Sequence, residues 1–218
     1  MELPRSSIYV GAHRYADGVG SNADVYVLDT GVRVTHTDFE GRATFSYNAA
    51  GGKVDTDKDG HGTFVAGVIA GAKYGICKKC NIISVKVFTD SGDCSASILI
   101  AAFDWVAKHF NTTRVSVINI SVGGDPGETS DALDAAVNAA VDLGIHVIGA
   151  AGNENVDACT ESPGRAEKIV AVGSSMLLAE TSDYFLGGSN FGRCVKLFAP
   201  GARPTLGCFV VAWHAACT

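Results

Sequence analysis

Short apolar segments alternate with amphipathic segments along the chain. Five short segments are apolar and rich in β-branched residues, which is typical of buried strands. They are residues 24–28, 81–88, 115–120, 145–150 and 168–172. Three longer segments carry apolar residues at helical spacing. They are residues 61–69, 95–110 and 130–143. This alternation predicts an α/β fold in which helices flank a mostly parallel central sheet.

Polar and glycine-rich positions mark the breaks between these segments. Ser95 stands where a helix N-cap is expected. Residues 47–60 are polar and rich in glycine, so we interpret them as a loop. Asp29, Gly123 and Asn153 each lie at or just beyond the end of a predicted strand. Because ligands bind beyond the carboxyl ends of the strands in open α/β sheets, we expect a functional site at this edge.

The composition fits one folded domain and excludes several classes of partner. The chain has 218 residues, of which 47% are hydrophobic and 18% charged, which is enough apolar material for a core. Its net charge of −6 argues against binding to nucleic acid or to an anionic membrane, since both attract clusters of Lys and Arg. The longest apolar runs, such as residues 98–103 and 145–151, are too short to cross a bilayer.

The cysteine content points to an oxidising compartment. Seven cysteines are many for a cytosolic protein of this size. The first residues lack the basic and apolar regions of a secretory signal, so we expect a secreted protein whose signal or pro-segment lies outside these residues. Cys77 and Cys80 have zinc-ligand spacing, but no second pair is evident, and a disulfide from one of them to Cys94 is favoured.

Asp29, His61 and Asn153 are the residue types that nucleophilic catalysis needs. A carboxylate can orient an imidazole, the imidazole can deprotonate a hydroxyl, and an amide N–H can stabilise the resulting oxyanion. Taken singly, each also fits a turn or a helix start. Asp29-Thr30-Gly31 matches the aspartic-protease triplet as well. That chemistry needs a second triplet or a dimer, and the α/β alternation contradicts the β-rich fold of those enzymes.

Four motifs surround these residues. They are Val-Tyr-Val-Leu-Asp29-Thr-Gly, Gly-His61-Gly-Thr-Phe-Val-Ala-Gly, Asn-Ile-Ser121-Val-Gly-Gly and Ala-Ala-Gly-Asn153-Glu-Asn. In this order, over residues 25–201, they resemble the subtilisin-like serine proteases, most closely the proteinase K type. The resemblance implies a three-layer α/β fold and a secreted, monomeric endopeptidase that acts on extended polypeptides through an acyl-enzyme and requires no cofactor.

The resemblance also implies a role for each matching residue. Asp29 would orient His61, His61 would be the general base and acid, and Asn153 would donate to the oxyanion. The backbone around Gly92 to Ala96 would pair with an extended peptide, as would one wall of the primary substrate pocket. The residues of the two pocket walls are Ser121, Val122 and Gly123 on one side and Ala150, Ala151 and Gly152 on the other.

The nucleophile of this family does not match any residue of the chain. Its Gly-Thr-Ser-Met-Ala segment follows a Phe-Ala-Pro-Gly motif, which is present here and ends at Gly201, but no Gly-Thr-Ser comes after it. We therefore expect a truncation with a replaced tail, and a chain that is inactive as written. The remaining nucleophile-type side chains lack the family's turn into a helix. They are Thr205, Cys208, Cys217 and Thr218.

Smaller features bear on disulfides and metals. By the resemblance, Cys159 and Cys194 form a disulfide. Lys196 stands where proteinase K-type enzymes carry an Asp that binds calcium, so that structural calcium site is expected to be absent. Residues 55–60 match only half of an EF-hand loop, so a solvated acidic loop is favoured. No metal site is predicted.

These observations divide the chain and leave three hypotheses. Residues 1–22 form an N-terminal segment, residues 23–201 an incomplete peptidase domain, and residues 202–218 a tail unlike the family. In the first hypothesis, the chain is part of an active protease. In the second, it is a catalytically dead pseudoprotease that binds extended peptides or inhibitors. In the third, it is a translation product that does not fold.

Overall fold

The computed structural model describes residues 18, 20–52, 56–124, 127–176 and 188–202. Most of the N-terminal segment therefore lies outside the described residues. So does the tail beyond Ala202, with its four candidate nucleophiles Thr205, Cys208, Cys217 and Thr218.

Within the described ranges, seven parallel strands form one sheet. In spatial order the sheet runs β2-β3-β1-β4-β5-β6-β7. β2 and β3 therefore lie on one side of β1, and β4 to β7 lie on the other side. The strands are β1 (Ala23–Asp29), β2 (Ala43–Asn48), β3 (Asn81–Lys86), β4 (Val115–Ile120), β5 (His146–Ala150), β6 (Val170–Met176) and β7 (Val195–Ala202). In such a sheet, the strand order reverses beside β1, and the crevice at its carboxyl end is the expected ligand site.

In the part of the chain that the structure describes, three α-helices lie between consecutive strands. They are α1 (His61–Ala70), α2 (Ala96–His109) and α3 (Asp131–Asp142). The side chains of Ser95 and Ser130 accept hydrogen bonds from the backbone N–H groups of Ile98 and Leu133, which caps α2 and α3. Within the described residues, no helix is long and apolar enough to cross a membrane.

The sheet separates two apolar layers. On β1, Tyr26 and Leu28 point to the face covered by α2 and α3, whereas Val25 and Val27 point to the face covered by α1. Val27 and Leu28 are both completely buried. A strand that is apolar on both faces is the signature of a sheet covered on both sides. The predicted α/β fold, a parallel sheet flanked by helices, is confirmed.

The edge strands were not predicted. β2 (Ala43–Asn48) is half-exposed, as is typical of an edge strand, and its last two residues overlap the loop predicted for residues 47–60, so the start of that prediction is wrong. β7 (Val195–Ala202) contains Pro200 and Gly201, which argue against a strand in a sequence pattern. Among the described residues, both strands pair with another strand on one side only, and edge strands tolerate proline, glycine and polar side chains.

Two disulfides lie within the described residues. Cys159 is bonded to Cys194, the pair that the resemblance implies. Cys77 is bonded to Cys80, and Cys94 is free, so the expectation of a bridge to Cys94 was wrong. Cys77 and Cys80 pack in the apolar layer beneath α1, whereas Cys94 packs in the layer on the opposite face of the sheet. The sheet itself therefore separates Cys94 from both partners.

Candidate active site

The end of β1 and the start of α1 bring a carboxylate and an imidazole together. Asp29 is the last residue of β1 and His61 the first residue of α1. The distance from His61 Nδ1 to Asp29 Oδ1 is 2.6 Å, and Asp29 Oδ1 also accepts a hydrogen bond of 2.7 Å from the Thr30 backbone N–H. Asp29 is fully buried and His61 is only 8% exposed. The carboxylate thus orients the ring and selects its tautomer with Nδ1 protonated.

Asp57 joins this strand end to the helix start. Its Oδ1 accepts hydrogen bonds from Thr30 Oγ1 (2.9 Å) and the Gly60 backbone N–H (2.8 Å). Its Oδ2 accepts from the Thr63 backbone N–H (2.8 Å) and from Thr63 Oγ1 (2.6 Å). Although burial opposes ionisation, these hydrogen bonds lower the pKa of Asp57 below its ordinary value. Residues 56–60 are therefore not simply a solvated acidic loop, and Asp55 lies outside the described residues.

Close backbone packing at this junction requires glycine at position 62. A Cβ on Gly62 would lie 3.0 Å from the Asp29 Cβ and would collide with the Gly31 carbonyl oxygen. The Gly62 backbone N–H donates to Thr30 Oγ1 at 3.0 Å. Lys86, which pairs with Asp29 in register on β3 and is 3% exposed, donates from Nζ to the Thr30 carbonyl at 2.5 Å. The position of His61 relative to Asp29 is thus fixed from several sides.

Asn153 lies in a loop just beyond β5, two strands away from β1 in the sheet. Asn153 is partly buried, and its backbone N–H donates to Glu154 Oε2 at 2.5 Å. The preceding Gly152 has φ +107°, and a Cβ there would collide with the Asn190 side chain. The loop turns sharply because glycine can adopt this conformation.

Asn190 is the buried centre of this loop. It is fully buried, and its Oδ1 accepts hydrogen bonds of 3.0 Å from the backbone N–H groups of Glu154 and Val156. Its Nδ2 donates to the Ala151 carbonyl at 3.0 Å, and its backbone N–H donates to the Gly152 carbonyl at 3.0 Å. One side chain therefore holds both ends of the loop that carries Asn153.

A cleft lies between α2 and the segment after β4. It has a volume of approximately 160 Å³. Val122 and Gly123, both predicted substrate-binding residues, line it. Gly92, with φ +90°, precedes the wall formed by Cys94, Ser95 and Ala96. Burial raises the pKa of the Cys94 thiol to about 11, so this thiol stays protonated at neutral pH.

The second predicted pocket wall does not line this cleft. Ala150 and Ala151 are buried, and a Cβ on Gly164 would lie 3.4 Å from the Ala150 carbonyl oxygen.

The first predicted wall begins with Ser121, which is partly buried and whose Oγ accepts a hydrogen bond of 3.0 Å from Asn119 Nδ2. The Gly124 backbone N–H donates to the Ser162 carbonyl at 3.3 Å. The segment containing residues 161–164 therefore connects the two predicted walls.

Three contributing residues were missed in the sequence. The sequence pattern groups Asp57 with an acidic loop. Neither Asn190 nor Glu161, a buried residue whose Oε2 accepts a hydrogen bond of 2.8 Å from Asn190 Nδ2, lies in one of the four motifs. The four-residue interval between Asp57 and His61 is one signal that could have identified Asp57, because an acidic residue before a helix can bind its first N–H groups. No local pattern marks Asn190 or Glu161.

The residues present do not fit a calcium site at the position that the family implies. Lys196 is exposed on β7, and an ammonium group cannot ligate a cation. Across the parts of the chain that the structure describes, no group of three or more His, Cys, Asp and Glu side chains could hold a metal ion.

Comparisons with known proteins show the family of the chain. Residues 20–214 match the model of the Subtilase family, Peptidase_S8. The chain is 45% identical over 195 residues to the subtilisin-like serine protease Pen ch 18 of Penicillium rubens, covering 86% of this chain and 38% of that protein. It is 43% identical over 199 residues to alkaline protease 2 of Aspergillus fumigatus, covering 86% of this chain and 39% of that protein.

A solved structure is similar over most of the chain. The crystal structure of a cold-adapted subtilisin-like serine proteinase superposes with a TM-score of 0.77 at 39% sequence identity, covering 91% of this chain and 70% of that one. The chain spans less than two fifths of the length of these two fungal relatives. With the family model matched over most of its residues and this level of identity, the chain belongs to the subtilase family of subtilisin-like serine proteases.

Proposed function

We propose that this chain carries the Asp–His part of a serine endopeptidase site. The observation that carries the proposal is the 2.6 Å contact between His61 Nδ1 and Asp29 Oδ1 in a buried setting. With Nδ1 held by the carboxylate, Nε2 is the atom that accepts a proton from a serine hydroxyl and later donates it to the leaving amine. Asp29 stabilises the imidazolium that forms in between.

Asn153 is proposed to stabilise the oxyanion. Its place beyond the end of β5, at the same sheet edge as Asp29, supports this role. Removing a side-chain donor of this kind lowers turnover by about 10²–10³-fold. The substrate is proposed to be an extended polypeptide that lies along Gly92 to Ala96 and along Ser121 to Gly123. Ala150, Ala151 and Gly152 are proposed to bound the primary pocket.

The nucleophilic serine is proposed to come from a segment that these 218 residues do not contain. No Gly-Thr-Ser sequence follows Gly201, and the described free thiol, Cys94, stays protonated at neutral pH. The chain as written is therefore expected to be inactive. We further propose that the protein is secreted, which the two disulfides support. A monomer without a required cofactor is proposed from the family resemblance.

The alternative is a pseudoprotease that binds extended peptides or inhibitors. The cleft of approximately 160 Å³ between residues 94–96 and residues 122–124 favours this alternative, because peptide binding in a cleft needs no nucleophile. Stoichiometric binding of a peptide without cleavage would support it.

The test begins with the transcript across the codons for Leu197 to the stop codon. The encoded protein and the 218-residue chain are then assayed with a fluorogenic extended peptide. We expect hydrolysis only by a product that contains a Gly-Thr-Ser segment, and we expect His61→Ala to lower kcat/KM by about 10⁴-fold or more. His146→Ala, at the opposite end of β5, is the matched control and should leave hydrolysis unchanged.

Two outcomes would count against the protease proposal. Hydrolysis that survives His61→Ala would exclude the Asp29–His61 pair as its source. A transcript that ends at Thr218, with no hydrolysis by its product, would leave the binding alternative. That alternative is then measured by fluorescence anisotropy of a labelled peptide, and failure to bind any extended peptide would reject it.

A further inference from the structure

Two carboxyl groups meet on the inner side of the Asn153 loop. Asn190 Nδ2 lies 3.0 Å from Glu154 Oε2, 2.8 Å from Glu161 Oε2 and 3.0 Å from the Ala151 carbonyl oxygen, so its two N–H groups are shared among three acceptors and face both carboxyls. Glu154 Oε2 also accepts the Asn153 backbone N–H at 2.5 Å. Glu154 is partly buried, whereas Glu161 is only 2% exposed.

The Glu161 carboxyl is incompletely paired for an ionised group. Its Oε1 is buried and, among the described residues, has no hydrogen-bond partner. A buried carboxylate without a cation or a full set of donors is costly, and the group takes up a proton instead. Two carboxyls in contact cannot both be ionised without strong repulsion, and one proton between them removes it.

We propose that Glu154 and Glu161 share one proton and that this pair, held by Asn190, positions the loop that carries Asn153. Glu161 supplies the neutral carboxyl, and Glu154 keeps the oxygen that accepts the Asn153 backbone N–H. The roles are those of positioning residues, because neither carboxyl is proposed to touch the substrate. The proposal rests on the proposed role of Asn153 in oxyanion stabilisation.

The surroundings of the pair agree with a neutral Glu161. Burial, and then the charge of Glu154, raise the pKa of Glu161 to about 7. Two of the charged side chains nearby in sequence bond elsewhere. Asp157 accepts the Cys159 backbone N–H, and Arg165 donates to Asp131 and Asp134. The amide of Asn190 is uncharged, so it does not neutralise a second negative charge.

The test follows the backbone amide of Asn153 by ¹H–¹⁵N NMR in the 218-residue chain between pH 5 and pH 9. In the unsubstituted chain we expect the resonance to shift with a midpoint near 7, as the pair loses its proton. Glu161→Gln keeps a neutral group of the same shape, so this shift should be lost while the resonance stays close to its low-pH position. Histidines titrate in the same range, so the loss in Glu161→Gln is the decisive result.

Glu167→Gln is the matched control. Glu167 is exposed on the same stretch of chain, and its substitution should leave the Asn153 titration intact. Glu154→Gln is the second variant should Glu161→Gln fail to fold, and it should move the midpoint toward 4.5, because the charge of Glu154 is removed while the burial of Glu161 remains. An unchanged midpoint in Glu154→Gln, or an unchanged titration in a folded Glu161→Gln, would overturn the proposal. So would the absence of a titration of Asn153 between pH 5 and pH 9 in the unsubstituted chain. None of these readouts needs hydrolysis, so the titration tests the Glu154–Glu161 pair even in a chain that is inactive. Failure of the proposed function, which the peptide assay measures, is therefore distinguished from failure of this proposal.

Discussion

At the scale of single residues, Asp57 does more than its place in an acidic loop indicates. It accepts four hydrogen bonds from groups on both sides of the Asp29–His61 pair. The sequence shows only a carboxylate four positions before His61. Whether such a residue faces water or binds the start of a helix depends on where β1 ends, and that is a property of the fold.

Asp57→Ala should destabilise the chain by about 2–4 kcal/mol, because four donors lose their acceptor. The measurement is the free energy of unfolding in urea. Asp104→Ala, which removes an exposed i,i+4 pair with Lys108, is the control and should cost less than about 1 kcal/mol. Because the pKa of Asp57 is lowered, its stabilising effect is present above pH 3.8 and is lost as the pH falls below that value. Equal losses for the two variants would contradict this role.

Glu161 should make the free energy of unfolding depend on pH in the opposite direction to Asp57. Its pKa is raised from 4.5 to about 7, so the folded state binds the proton more tightly than the unfolded state does. Stability from this group is therefore present below pH 4.5 and is lost as the pH rises through 7, by about 3 kcal/mol at most. The difference in Tm between Glu161→Gln and the unsubstituted chain should increase by about 3 °C or more from pH 5 to pH 8. A constant difference would contradict this assignment.

At the scale of elements, the central strands and helices follow from local pattern and the edge strands do not. Residues 115–120 match β4 residue for residue, and the Ser95 cap begins α2 as predicted. β2 and β7 were missed because they are the two edges of the sheet as far as the structure describes it, and an edge strand lacks the continuous apolar run that marks a central strand.

The two disulfides should differ in their effect on stability. The bond between Cys159 and Cys194 closes 35 residues, whereas that between Cys77 and Cys80 closes three. By loop-closure entropy, replacing both members with Ala should cost about 4 kcal/mol for the long loop and about 1.5 kcal/mol for the short one. Thermal unfolding of the two double variants measures this, and the short-loop variant serves as the control. An equal loss of stability would show that loop length does not determine the effect.

At the scale of the whole molecule, both apolar layers pack against the same sheet, one on each face. Val27 and Leu28 are neighbours on β1, and each is fully buried on a different face. A domain built on a shared sheet is expected to unfold cooperatively, because neither layer keeps its packing surface without the strands.

Leu28→Ala should therefore destabilise both layers by about 2–5 kcal/mol, and Val27→Ala by about 2 kcal/mol or more. Native-state hydrogen exchange provides the measurement. In each variant the slowest amides of α1 and of α3 should lose protection by the same factor. Loss of protection in only one layer would contradict cooperative unfolding.

The sequence by itself determined the fold class, the central strands and helices, and the family. These depend on local periodicity and on short motifs around Asp29, His61 and Asn153. Both kinds of pattern can be recognised without knowing which residues are in contact. It also placed these three residues at strand ends or a helix start, as the structure has them. Their catalytic roles remain predictions.

Only the tertiary structure decided which distant groups meet. It separated Cys94 from Cys77 and Cys80 by placing them on opposite faces of the sheet. It brought Asn190 and Glu161 to the Asn153 loop from positions 37 and 8 residues away along the chain. The physical reason is that hydrogen bonds and burial act through space, so a side chain without a local pattern acquires its environment only when the strands pack.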